Sequence, residues 1–175
     1  MNRNVTWTAL GAAGFALFLA GCSHPPLPPA PKAPRISPAA MVEAIRAARV
    51  DDKSVVEVTP LRNPGVDGLL DGAHADENVG KYQQALNKVD EALKLSPDAP
   101  DILQFRAEIE ILLENYAAAD ADARRSYALG SKLGGLCASN WQTVLEIAQS
   151  KNDQAVVQSA RAARDACHKA GPVRM

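Results

Sequence analysis

The sequence predicts an all-α protein built from stacked antiparallel helical hairpins, and three observations predict it. Alanine supplies much of an apolar fraction of 47%, while aromatic residues make up only 5% of the 175 residues. Alanine is the best helix former and lets helices approach closely. From Val66 onward apolar residues recur at helical spacing, and no stretch is rich in strand-forming residues. The pattern then returns at a fixed interval: Leu69, Ala73, Tyr82 and Ala85 reappear as Leu103, Ala107, Tyr116 and Ala119, each 34 residues later. One hairpin cannot bury its own apolar face, so hairpins of this kind stack. The net charge of −1 gives no electrostatic reason to expect nucleic acid or an anionic membrane surface as a partner.

The chain opens with a thin positive start at Arg3 and an uncharged apolar run from Ala9 to Ala20. The run is shorter than the ~18–20 residues that span a bilayer as a helix. It ends in Leu19-Ala20-Gly21-Cys22, which resembles a bacterial lipobox at all four positions. The resemblance implies a signal peptide over residues 1–21, diacylglycerol on the Cys22 thiol, cleavage before Cys22 and acylation of the new amino terminus. Two or more acyl chains anchor stably, at about 0.8 kcal/mol per buried CH₂. Ser23 follows, where an aspartate would resemble an inner-membrane retention signal, so the expected location is the outer membrane, lipid-anchored and facing the periplasm. An ordinary secretory signal or a short membrane anchor is the alternative.

Seven of the twelve prolines lie between Pro25 and Pro38. Such a stretch cannot form helix or sheet ladders and tends to polyproline II. Residues 22–38 are therefore expected to be a lipidated terminus and a semi-rigid stalk, reaching on the order of 45 Å. Residues 39–65 are expected to hold a short helix and an extended connector. "PAAMVEAIRAAR" (Pro38 to Arg49) places Met41, Ile45 and Ala48 on one helical side. Val55, Val56 and Val58 are β-branched, and Asn63-Pro64-Gly65 is a turn signal.

Residues 66–171 carry the hairpins. In "GKYQQALNKVDEALKLSPDAP", Gly80 is placed to turn between helices and Pro97 to end the second one. Leu86, Val89, Ala92, Leu93 and Leu95 continue the apolar stripe. These residues resemble a tetratricopeptide repeat. The resemblance implies that Tyr82 plugs the hairpin end and that Ala85 permits close helix approach. The second hairpin, with Ile102, Phe105, Ile109, Leu112 and Tyr116 at helical spacing, departs from the family pattern. Arg106 stands where the family has a large apolar residue, and Glu110 where it often has an aromatic. A third hairpin is offset by 38 rather than 34 residues, with Ser131 to Leu136 absorbing the difference. Trp141, Val144, Leu145 and Ala148 form its first apolar face, Lys151-Asn152-Asp153 its turn, and Val156, Val157 and Ala160 its return.

With Cys22 assigned to lipid, Cys137 and Cys167 remain. They fall at the start of the first helix and the end of the second helix of that last hairpin, ends that lie together when the helices are antiparallel. An oxidising periplasm permits a Cys137–Cys167 disulfide; two buried free thiols are the alternative.

No chemistry is visible beside this. There is no nucleophile–base set, no phosphate loop, and no histidine pair at metal-ligand spacing among His24, His74 and His168. The chain is therefore expected not to be an enzyme and to use no cofactor or metal. Binding remains. The repeat resemblance implies that the first helix of each hairpin lines a concave surface. It places Asp67, Leu70, His74, Glu77 and Asn78 there from the first hairpin, and Asp101, Gln104, Glu108, Ile111 and Leu112 from the second. Ser139, Gln142, Glu146 and Gln149 come from the third. That set holds five carboxylates and no lysine or arginine. It suits a basic or neutral protein or peptide segment rather than a clamped C-terminal carboxylate. The expected role is a protein-interaction adaptor or assembly factor for an envelope complex. The alternative is a structural spacer whose stalk and helices have no groove ligand.

Overall fold

The computed structural model describes residues 36–51 and 62–168. The expected signal peptide over residues 1–21, Cys22, nearly all of the proline-rich linker, residues 52–61 of the connector and the end of the chain lie outside the described residues. Within them are seven helices: α1 (Pro38–Asp51), α2 (Pro64–Asn78), α3 (Tyr82–Leu95), α4 (Pro100–Leu112), α5 (Tyr116–Leu129), α6 (Gly135–Ser150) and α7 (Gln154–Ala166). The fold is all-α. Helices α2/α3, α4/α5 and α6/α7 form three hairpins, and each helix from α2 onward packs on the next in sequence.

Local chemistry sets the helix starts. Ser37 caps α1, its hydroxyl accepting the Ala40 N–H at 3.2 Å. Asn63 caps α2, its side chain accepting the Gly65 N–H at 2.8 Å, and Pro64 takes the first helical position, where a missing N–H costs nothing. Asn63-Pro64-Gly65 is thus a helix start rather than a free turn. Asp153 caps α7 through the Val156 N–H at 3.1 Å.

The three hairpin turns share one hydrogen-bonding scheme. Each has a residue in the left-handed region: Gly80 (φ 75°), Glu114 (φ 60°) and Asn152 (φ 57°). Their N–H groups reach back to the carbonyls of Glu77 (2.9 Å), Ile111 (2.9 Å) and Gln149 (3.0 Å). The next N–H groups, of Lys81, Asn115 and Asp153, reach those of Asp76 (2.8 Å), Glu110 (2.8 Å) and Ala148 (2.9 Å). This pair of bonds is the Schellman closure, which satisfies carbonyls left open at a helix end. The turns recur at the 34- and 38-residue offsets that the side-chain pattern shows. Glu114 holds a conformation that glycine adopts freely and other L-residues do not. Glu114→Gly is expected to stabilise the fold by about 0.5–1 kcal/mol, and Gly80→Ala to destabilise it by a similar amount. Urea unfolding midpoints moving in the same direction for both variants would count against this account.

Two apolar clusters share α4. One joins α2, α3 and α4 through Val66, Leu70, Ala73, Val89, Ile102 and Ile109. The other joins α1, α4, α5, α6 and α7 through Met41, Ile45, Ala107, Ile111, Val144, Leu145 and Val157. Ala73, Ala85, Ala107 and Ala119 are all fully buried. A methyl group at those positions is what lets paired helices come close. Helix α6 is buried on every side, with eleven buried residues between Cys137 and Ala148. A helix covered all round belongs to an interior.

Helix α1 completes that burial, which α5 and α7 share. It folds back onto α4 and α6. Its Met41, Val42 and Ile45 are at most 4% exposed. Gly135 marks the closest approach: a Cβ there would lie 2.6 Å from the backbone oxygen of Arg49 on α1.

Cys137 and Cys167 are joined by a disulfide, with Cα atoms 5.6 Å apart and a sequence separation of 30. The Gly134 N–H donates to the Cys167 carbonyl at 3.0 Å, so two links tie the end of α7 to the start of α6. The two departures from the repeat pattern also have partners. Arg106 donates to both carboxylate oxygens of Asp122 on α5, at 2.7 and 2.6 Å, and to Asp90 on α3 at 3.1 Å. Glu110 accepts from Asn115 at 2.7 Å.

Candidate functional site

The residues placed on the inner face from sequence do come from α2, α4 and α6, but much of that face is not open to solvent. Leu70, Gln104, Glu108, Ile111, Ser139, Gln142 and Glu146 are buried. Leu112, Asp101, Glu77 and Gln149 are half-buried, while Asp67, His74 and Asn78 are exposed.

Arg46 of α1 reaches into this set. Its Nη2 donates to Glu77 Oε1 at 2.6 Å and its Nε to Glu108 Oε2 at 2.8 Å. One guanidinium thus bridges carboxylates of α2 and α4. Gln104 Nε2 extends the network, donating to Glu108 Oε1 at 3.2 Å and to Thr143 Oγ1 on α6 at 3.0 Å. The Thr143 hydroxyl donates to the Ser139 carbonyl at 3.0 Å. The polar chain runs from α1 through α4 to α6, and Gln104 Oε1 within it is buried without a hydrogen-bond partner. On the α2 side, His74 Nδ1 lies 3.5 Å from Glu77 Oε2, and its ring stacks on Phe105 with centroids 4.1 Å apart.

The remaining members form separate groups. Gln142 donates to Glu146 at 2.6 Å and accepts from Arg164 of α7 at 2.8 Å. Asp101 is ion-paired with Arg62, which also lies 3.9 Å from Asp67. A cleft of about 610 Å³ stays open beside α1, between its Ala39, Ala47 and Val50 and the side chains of Asn78, Tyr82 and Leu112.

Sequence reasoning passed over the cations that meet this set: Arg46 at Glu77 and Glu108, Arg62 at Asp101, and Arg164 at the Gln142–Glu146 pair. The signal for them was the charge imbalance itself: five inner-face carboxylates with no cation among them. The short helix before the connector carries one at Arg46, beside the apolar Met41 and Ile45.

Burial pushes the Glu108 carboxyl above its ordinary value of 4.5, outweighing the opposing pull of Arg46 and Gln104. Burial likewise raises Glu146 against Gln142 and Arg164. Glu77 moves the other way. Burial works against its charged form, but the hydrogen bond with His74 and the charge of Arg46 overcome that and hold it below 4.5. Burial also opposes the charge on Arg46, and the attraction of Glu108 and then Glu77 more than restores it.

These directions carry a pH dependence. A carboxyl raised on folding takes up its proton in the native state first, so stability rises as pH falls from the folded value toward the unfolded one. Glu108 and Glu146 act in this sense above 4.5; Glu77 acts oppositely and only below it. Thermal melts taken from about pH 8 down to about pH 5 should show a rising Tm, and Glu108→Gln with Glu146→Gln should flatten the slope. An unchanged slope in the double variant would contradict the assignment.

Among the described residues, no group of three His, Cys, Asp or Glu side chains is placed to hold a metal ion, and no helix is long and apolar enough to cross a membrane. The Ser126 and Ser159 hydroxyls donate to the carbonyls of Pro100 at 2.6 Å and Val156 at 3.0 Å, not to a base. Comparison with protein-family models, curated proteins and solved structures gives no match.

Proposed function

We propose that the chain is an outer-membrane lipoprotein, anchored through Cys22 and facing the periplasm. Its tetratricopeptide-like hairpins would serve as a protein-interaction adaptor or assembly factor for an envelope complex. The observation that carries this reading is that the acidic inner face holds a helix, with Arg46 seated between Glu77 and Glu108. A face built from the first helices of successive hairpins, supplied with carboxylates and closed by an arginine from outside the stack, is a helix-binding surface with its charge preference stated. The lipobox resemblance and the proline-rich stalk supply the anchor and the spacing.

One observation favours a second reading. The helix on that face belongs to the same chain, as a purely structural spacer would also require. Crosslinking in membranes followed by affinity capture separates the two. A single stoichiometric partner complex supports the adaptor, and contacts only between copies of this chain support the spacer. Cys22→Ala is expected to release the protein from membranes, and a variant that still sediments with them would refute the lipid anchor.

A further inference from the structure

Helix α1 is an unusual tenant of the face it covers. It contributes three large buried apolar side chains, Met41, Val42 and Ile45, and little else. The rest of its surface is small or exposed, and Val50 is 81% exposed at the edge of the open cleft. The surface beneath is not a purely apolar seam. Glu108, which takes Arg46, and Gln104, which joins Glu108 to Thr143 of α6, are buried, and the Gln104 side-chain oxygen lacks a hydrogen-bond partner. An unpaired buried acceptor of this kind is costly to keep covered. The Arg46 side chain that locks α1 down is itself 44% exposed. An ion pair reached by water is worth less than a dry one.

We propose that the face covered by α1 is the recognition surface of the protein, and that the external partner is an amphipathic helix of the same kind, which binds by taking α1's place. The helix is defined by what holds α1: two adjacent apolar residues, a third one turn later, and an arginine directly after it, as in Met41, Val42, Ile45 and Arg46. The arginine enters between Glu77 and Glu108. The flanking cleft, which α1 lines with Ala39 and Ala47 beside Val42, Glu43, Arg46 and Val50, gives room for side chains larger than those two alanines. Partner affinity is then reduced by the fraction of time α1 is in place, which makes α1 a threshold as well as a plug. This proposal rests on the adaptor reading and names its partner class.

The test uses the full chain and a labelled peptide of residues 36–51 as probe. Hydrogen exchange on the unaltered chain comes first. The amides of α1 are expected to exchange at least about tenfold faster than those of α4 and α6, as a separately opening unit; exchange of all three helices together overturns the proposal. Binding comes second, in two variants that unseat α1 by unrelated means. Arg46→Glu reverses the locking charge. Gly135→Ala places a methyl against the Arg49 backbone while leaving Glu77 and Glu108 untouched. Both are expected to bind the peptide about tenfold more tightly than the unaltered chain. A peptide carrying Arg46→Glu is expected not to bind Gly135→Ala. If α1 opens in these variants yet the peptide does not bind, the proposal fails. A concentration-dependent dimer of the unaltered chain that Gly135→Ala strengthens names a second copy as the occupant and overturns the external partner. Peptide exchange that behaves as expected, with no partner captured from membranes, would refute the adaptor reading and leave the exchangeable face standing.

Discussion

Removing the Cys137–Cys167 disulfide is expected to lower stability by about 3–4 kcal/mol, the loop-closure entropy for a cross-link across this separation. The bond spans 30 residues and closes α6 and α7 into a ring. The helices it joins are unequal. Helix α7 buries only Val157 and Ala160, whereas α6 buries eleven of its sixteen residues. The loss should therefore fall first on α7, which keeps few apolar contacts once its far end is free to fray. In a domain of somewhat over 100 residues, each kcal/mol moves Tm by roughly 3–5 °C. Melts with and without reductant, or of Cys137→Ala with Cys167→Ala, should differ by on the order of 10 °C. Coincident melts would show that the hairpin holds by packing alone.

The second large effect is expected at Arg106. Its guanidinium forks onto Asp122, whose side chain is 8% exposed, and also reaches Asp90, so α3, α4 and α5 meet at one cation. The hydrogen bonds with Asp122 raise its pKa further above the ordinary arginine value, against the effect of burial. Arg106→Met removes the cation and strands the Asp122 carboxylate between helices. Loss of one partner from such a pair typically costs 3–5 kcal/mol; about 3 kcal/mol is expected here, because Arg106 keeps part of its surface in water. Asp122→Ala added to Arg106→Met should restore most of the loss, since an apolar pair carries no stranded charge. Denaturant unfolding of the single and double variants closes the cycle. A double variant as unstable as Arg106→Met would show that the packing of the arginine stem, rather than the charge, matters.

The hairpins and the disulfide were legible in the sequence because each rests on a local rule. Gly80, the small residues at Ala85 and Ala119, and the 34-residue offset between Tyr82 and Tyr116 are properties of one repeat and its neighbour. The cysteine pairing needed the antiparallel course of one hairpin, once Cys22 was set aside for lipid. Arg106 read as a defect because its partner, Asp122, lies on the next helix, and a repeat pattern scores positions rather than pairs. The docking of α1 was not legible for a different reason. Helical periodicity says which side of Pro38–Asp51 is apolar, and does not say which of the later helices that side will meet. The concave residues were assigned by analogy between repeats, and the analogy contains no helix before the first repeat. Glu108, Ser139 and Glu146 therefore read as lining an open groove when they are buried.

The seat of α1 on α6 has a consequence for the newly made chain. Helix α1 ends at Asp51 and α6 begins at Gly135, so more than eighty residues must be synthesised before half of its seat exists. In a chain that emerges from its amino end, the hairpins α2/α3 and α4/α5 can stack during that interval, while Met41, Val42 and Ile45 have only α4 to rest on. The first of the described helices to emerge is thus the last to be housed.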